Sequence, residues 1–183
     1  MVMKRFLTIA AVALLTVAAQ KASAQFYAVR FNTLALATGT ISGGMDVAVS
    51  KKTSLDLTLY WNPLRFSSFR TTFLIGQAGV RFWRFEPNVG PFLGIHAAGG
   101  RYDIGNRRLH YKGFVVGLGV SYGYSWLLSK RWSLTAEIGA GLFYTNDTRR
   151  DYFTPWSDDE LIRHNRRLTV LPSKAEIGFS YLF

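Results

Sequence analysis

The chain has 183 residues, enough for one domain. It has no cysteine, which excludes a disulfide framework, a thiolate metal site, a cysteine nucleophile and an acylated lipoprotein cysteine. Lysine and arginine outnumber acids 22 to 11, aromatics reach 15% and there are 17 glycines, a composition that suits many strands better than a helical bundle.

The first residues read as a targeting segment. Lys4 and Arg5 are basic, Phe6 to Ala19 is almost unbroken apolar sequence, and Ala22-Ser23-Ala24 has the small-x-small pattern of a signal-peptidase site. We expect a signal peptide over 1–24 and a mature domain over 25–183. An uncut membrane anchor is the alternative. Residues 1–24 hold three bases and no acid, so the net charge falls from +11 to +8 on cleavage. No later apolar stretch approaches the ~20 residues of a membrane helix.

Eight stretches with period-two alternation follow. The first, Phe26 to Ala37, sets Val29, Phe31 and Ala35 against Arg30 and Asn32. The second, Gly43 to Ser50, sets Met45, Val47 and Val49 against Asp46 and Ala48. Lys51-Lys52 turns into Thr53–Trp61, where Leu55, Leu57, Leu59 and Trp61 oppose Asp56, Thr58 and Tyr60. Pro63 closes it, because proline cannot donate to a ladder. The fourth, Thr71 to Trp83, sets Leu74, Ala78, Val80 and Phe82 against Gln77 and Arg81. Glu86-Pro87-Asn88 marks a turn. Gly90 to Tyr102 places Leu93, Ile95 and Ala97 outside and His96 inside. Phe114 to Trp126 and Trp132 to Tyr144 alternate most cleanly, large apolar residues on one side and small or polar ones on the other. Ser173 to Phe183 ends the chain.

Several of these stretches run to about 11–13 residues, where soluble strands average ~5–6 and a tilted membrane strand needs ~9–11. The connections alternate between short (Lys51-Lys52, Arg84–Val89, Ser129–Arg131) and mostly longer, as in outer-membrane barrels with periplasmic termini. The longest predicted loop is Asn146 to Pro172. Phe82, Trp83, Phe85, Trp126, Trp132 and Phe183 gather at the short-turn end, where an aromatic girdle is expected. The closing octapeptide, Glu176 to Phe183, carries Gly178, Tyr181 and Phe183 at the spacing of an outer-membrane insertion signal. The expected fold is therefore all-β: an eight-stranded antiparallel transmembrane up-and-down barrel in the cell outer membrane. A soluble periplasmic barrel is the architectural alternative.

Asn32–Leu36, the Lys51–Leu57 turn, Trp61-Asn62-Pro63, Gln77–Trp83, Gly90–Tyr102, Gly117–Trp132 and Lys174–Phe183 together resemble the small outer-membrane proteins catalogued as domain of unknown function 3575. The resemblance covers nearly the whole mature chain. It departs in the last loop, where some members carry cysteines. It implies an outer-membrane barrel in Gram-negative bacteria and no agreed activity.

Two sets of residues are candidate sites. The inward face carries a charge network of Arg30, Asp46, Asp56, Arg81, Glu137, Lys174 and Glu176, with His96; buried charges must be paired. Asp46 and Asp56 should lie nearly opposite one another and need Arg30 or Arg81 between them. The second set is a rim of basic loops: Arg107, Arg108, Arg149, Arg150, Arg163, Arg166 and Arg167, with Arg65, Arg70, Arg101 and Lys112. Arginine suits the phosphates of lipopolysaccharide, and a solvated surface is the plainer reading. Nucleic acid is not expected, since the bases are spread over four loops. No cofactor or metal is expected: His96, His110 and His164 are scattered. Ser157, Asp158 or Asp159 and His164 form a thin candidate triad, and Asp158 to Arg167 a possible short helix. No enzyme is expected. The expected role is structural or surface-binding, with lipopolysaccharide, the barrel-insertion machinery and a surface protein as partners. A narrow channel is second and a lipid A-modifying enzyme third.

Overall fold

The computed structural model describes residues 27–66, 69–106, 109–152 and 160–183, and the side chains of all of these except 150–152 and 160–163. The expected signal peptide, Arg107, Arg108, Ser157, Asp158 and Asp159 lie outside the described residues. Eight antiparallel strands close into a barrel in chain order. They are β1 (Tyr27–Asn32), β2 (Ile41–Ser50), β3 (Thr53–Asn62), β4 (Phe69–Trp83), β5 (Gly90–Asn106), β6 (Leu109–Leu127), β7 (Trp132–Tyr152) and β8 (Glu160–Leu182), with a short helix, α1 (Thr33–Ala37), after β1. The ring closes where β1 pairs with β8, from Ala28↔Leu182 to Asn32↔Gly178.

The alternation of the sequence sorts side chains across this wall. Leu57, Leu59, Leu118, Val120, Ile138 and Leu142 point outward and are between 49% and 72% exposed. The interior is polar and closely filled: Arg30, Asp46, Asp56, Gln77, Arg81 and Glu137 are all buried. This inverts the usual soluble pattern, in which a strand turns its apolar side inward. Trp83 is a correction. It is buried, not part of an outward girdle: its Nε1 donates to Ser54 Oγ at 2.9 Å and its ring sits 4.4 Å from Phe92. Phe82, one residue earlier, takes the outward place that period two allows.

Three further expectations are corrected. The first strand stops at Asn32, not Ala37. The Asn32 side chain accepts from Ala35 N at 3.1 Å and caps α1, while its amide donates to Ala175 O of β8 at 3.0 Å. Thr33 Oγ1 reaches Ile177 O at 2.5 Å. Side chains thus replace the ladder bonds that β1 no longer supplies. The loop expected over Asn146–Pro172 is mostly strand: β7 runs on to Tyr152 and β8 begins at Glu160, which also removes the possible helix from Asp158 to Arg167. The alternation that would reveal β8 is broken by a bulge at Ser173. Gly139 pairs with Lys174, but Ala140 pairs with Pro172. Ser173 and Lys174 are consequently both buried, and Val170 and Leu168 turn outward although their parity opposes Ile177.

The strands differ greatly in height. β1 to β3 have 6, 10 and 10 residues; β6 to β8 have 19, 21 and 23. The long strands rise beyond the apolar belt as a polar half-crown. Replacing Asn32 by alanine should remove both the helix cap and the Ala175 partner, costing about 1–2 kcal/mol. Equilibrium unfolding in urea checks this; an unchanged midpoint would show that the seam does not depend on Asn32.

Candidate functional site

Six strands aim charge at one point in the interior. Arg30 comes from β1, Asp46 from β2, Asp56 from β3, Arg81 from β4, Glu137 from β7, and Lys174 and Glu176 from β8. All seven are at most 5% exposed. Asp46 and Asp56 face one another in the ladder, and both guanidinium groups bridge them. Arg30 pairs with Asp46 through Nη1 and with Asp56 through Nη2 at 2.6 Å, and its Nε contacts Glu176. Arg81 Nη1 lies 2.8 Å and 2.9 Å from the two oxygens of Asp46, and Nη2 pairs with Glu137. Lys174 pairs with Asp56 and lies 3.3 Å from Glu137. Glu176 therefore takes its closest cation from Arg30 next door, not from Lys174 on its own strand. Thr58 and Ser121 donate to Asp56 and Glu137 at 3.0 Å and 2.6 Å.

Below this cluster, toward the short turns, the lumen is floored by rings and hydroxyls. The Arg81 guanidinium lies 4.9 Å over the Phe92 ring, which packs on Trp83. The turn after β4 folds back beneath them. Asn88 adopts a left-handed φ of 66°, is buried, and accepts from Ser125 Oγ at 2.9 Å through its carbonyl. His96 sits beside the cluster, fitted between glycines: a Cβ on Gly79 would meet His96 Cβ at 2.7 Å, and one on Gly119 would meet His96 Nε2 at 2.6 Å. Neither His96 nitrogen has a hydrogen-bond partner among the described residues.

The second site is the crown. On its inner face Asp147 is buried, accepting from Tyr102 Oη at 2.8 Å and Arg167 Nη2 at 2.9 Å. Arg149 and Arg167 both lean over the Tyr111 ring, at 5.9 Å and 6.0 Å. On the outer face Arg70, Asp103 and His110 form a ladder across β4, β5 and β6. Burial pushes the Asp103 carboxyl up, but the His110 hydrogen bond and the Arg70 charge outweigh it and hold its pKa below the ordinary value. His164 Nδ1 lies 3.3 Å from Thr148 Oγ1.

Sequence reasoning placed the rim arginines in loops. The structure places Arg149 and Arg150 in β7, and Arg163, Arg166 and Arg167 in β8. Arg70 also lies in a strand, and Arg101 stands in β5, within the stretch expected for the fifth strand. These segments are polar on both faces because both faces of the crown meet water, so no hydrophobic alternation betrays the strand. Tyr102, Tyr111 and Asp147 were missed as site residues. No local signal marked them, because no apolar neighbours set off the inner side of these strand ends. No group of three or more metal-ligating side chains that could hold an ion occurs among the described residues.

A family model described as protein of unknown function (DUF3575) matches residues 8–183. The chain belongs to that family. No curated protein and no solved structure matches it. The family description carries no activity, so geometry must supply one.

Two outcomes follow from this geometry. Replacing Arg81 by methionine would leave Asp46 with Arg30 alone and Glu137 with Lys174 alone, two cations against four buried carboxylates, and should cost about 3–5 kcal/mol. Adding Asp46→Asn and Glu137→Gln should recover much of that loss in urea unfolding; no recovery would mean packing, not charge, holds the centre. For the crown, a depressed carboxyl stabilises above its unfolded pKa and loses that contribution as pH falls through the folded one. Hydrogen-exchange protection at the β5–β6 tip, corrected for intrinsic rate, should fall below the ordinary carboxylate range, and Asp103→Asn should abolish the pH dependence.

Proposed function

We propose that this protein is an outer-membrane β-barrel of a Gram-negative bacterium, exported by a cleaved signal peptide, with a structural or surface-binding role. The observation that carries the reading is the outward belt and its upper border. One row of ladder partners runs Ile41, Trp61, Leu74, Arg101, Phe114, Asn146, Arg166. Barrel strands tilt, so such a row slants across the wall. Its members on β2 to β4 are all apolar, and of the four on β5 to β8 only Phe114 is, the others being Arg101, Asn146 and Arg166. A belt bordered by polar groups suits hydrocarbon meeting water. Tyr124, Trp126, Trp132, Tyr181 and Phe183 cluster at the opposite, short-turn end, as an interfacial girdle would. Gly178, Tyr181 and Phe183 lie at the closing seam, where the insertion machinery would read the last strand.

The crown is the part offered to the outside. Its arginines suit the phosphates of lipopolysaccharide or an acidic partner protein. A narrow channel is the rival reading, favoured by the polar lumen. The seven-residue charge cluster and the Trp83–Phe92 floor weigh against it, because ions would have to displace charge-assisted bonds. Unboiled protein extracted from outer membranes should migrate differently from boiled protein on a gel. Identical migration with recovery in the soluble fraction would refute the barrel in the membrane. Planar bilayers should stay silent, and current steps altered by Arg81 or Glu137 substitutions would replace this reading with the channel.

A further inference from the structure

β8 has two edges with unlike fates. One pairs with β7 along its full length, from Trp132↔Tyr181 to Tyr152↔Glu160. The other pairs with β1 only over Gly178–Leu182. Above that, Thr33 and Asn32 occupy the carbonyls of Ile177 and Ala175, and Gln77 Nε2 donates to Ser173 O at 2.7 Å from inside the lumen. Beyond the bulge no strand pairs with this edge among the described residues, because β1 has ended and β2 starts at Ile41. The exposed edge continues upward from Pro172: Leu168 and Val170 still face outward in the belt, and from Arg167 on the edge stands in the crown.

An open edge of this length presents a row of unpaired backbone donors and acceptors, the template for strand addition. Its chemistry is one-sided. From Arg163 to Arg167 it reads Arg-His-Asn-Arg-Arg, with no acid. Arg166 is exposed and Arg149 on the neighbouring strand adds a further base, while Arg167 already pairs with the buried Asp147 of that strand. A second copy of the chain would bring these arginines against themselves. An acidic strand would meet opposite charge at alternate positions, where cross-strand pairs stabilise.

We propose that the free edge of β8 over Arg163–Arg167 is a docking site for an extended, acidic segment of a partner protein, which adds to the crown as a further antiparallel or parallel strand. The proposal rests on the surface-binding role above but not on the membrane itself, since the edge exists in the fold alone.

The test uses the full mature chain in detergent micelles and a short fluorescent peptide alternating glutamate with valine and threonine. A second peptide has the same sequence with alternate backbone amides methylated. The unmodified peptide should bind, more weakly as salt rises. The methylated peptide should not, because it lacks the donors a ladder needs. The double variant Arg163→Glu, Arg166→Glu should lose binding while keeping its heat-dependent gel shift, which shows the barrel intact. Equal binding of both peptides would overturn the proposal in favour of a charged surface without strand pairing. Absence of binding by the acidic peptide, or concentration-dependent dimers cross-linked through β8, would also overturn it. Labelling intact cells with a membrane-impermeant reagent at an introduced crown cysteine reads the membrane placement separately, so the two ideas fail by different results.

Discussion

The structure depends on two guanidinium groups holding four carboxylates. Arg30 and Arg81 stand between Asp46, Asp56, Glu137 and Glu176, with Lys174 as the third cation. Each arginine offers a planar fork of five donors, which is why it can serve several oxygens at fixed positions where a lysine offers a point charge. The geometry forces the rest. A ring of eight strands is too narrow to leave a lumen empty, and a polar filling must be satisfied internally. Small residues surround the large charged ones for that reason, with Gly79 and Gly119 making space for His96.

The same filling explains why the wall is apolar outside without collapsing. The polar centre gives the barrel its specificity, since each member finds its partners only when the strands stand in one register. A slip of a single residue would turn Asp46, Arg81 and Glu137 out to the belt. The core of this molecule is thus ionic, and its large apolar side chains stand on the outer face.

Much of the barrel was legible in the sequence. Period two from Thr53 to Trp61 and from Phe114 to Tyr144 reveals both the strands and the inward side. The turn at Lys51-Lys52 brings Asp46 and Asp56 nearly opposite, and a bulge between Ala48 and Ser50, which the sequence does not announce, sets them in direct register. What escaped did so for physical reasons. Asn32 ends a strand by capping a helix, and a single asparagine carries no warning of that in an alternating stretch. Ser173 shifts the phase of β8, so Leu168 and Val170 look inconsistent with Ile177 and Phe179. Strands with water on both faces need no apolar side, which hid the upper parts of β7 and β8. The meeting of Arg30 with Glu176 was legible only through ring closure, which sets β1 beside β8 and makes Arg30 and Lys174 the two candidate cations; the structure gives the closer contact to Arg30.

The brevity of β1 bears on how the chain assembles. The seam joins Ala28 to Leu182 through five residue pairs, so its closure is the most non-local event in the fold and carries the largest loop-closure entropy. Hairpins β2–β3 through β7–β8 can zip by neighbouring contacts first. Until β1 arrives, Glu176 lacks its nearest cation and Asp46 and Asp56 lack one of their two bridges. An unclosed sheet therefore carries surplus negative charge at its centre, which favours keeping that centre wet. Arrival of Arg30 halves that surplus, leaving three cations against four carboxylates, at the same moment that it seals the wall. Closure and drying of the lumen become one step, and the chain has a built-in reason not to bury a half-made barrel.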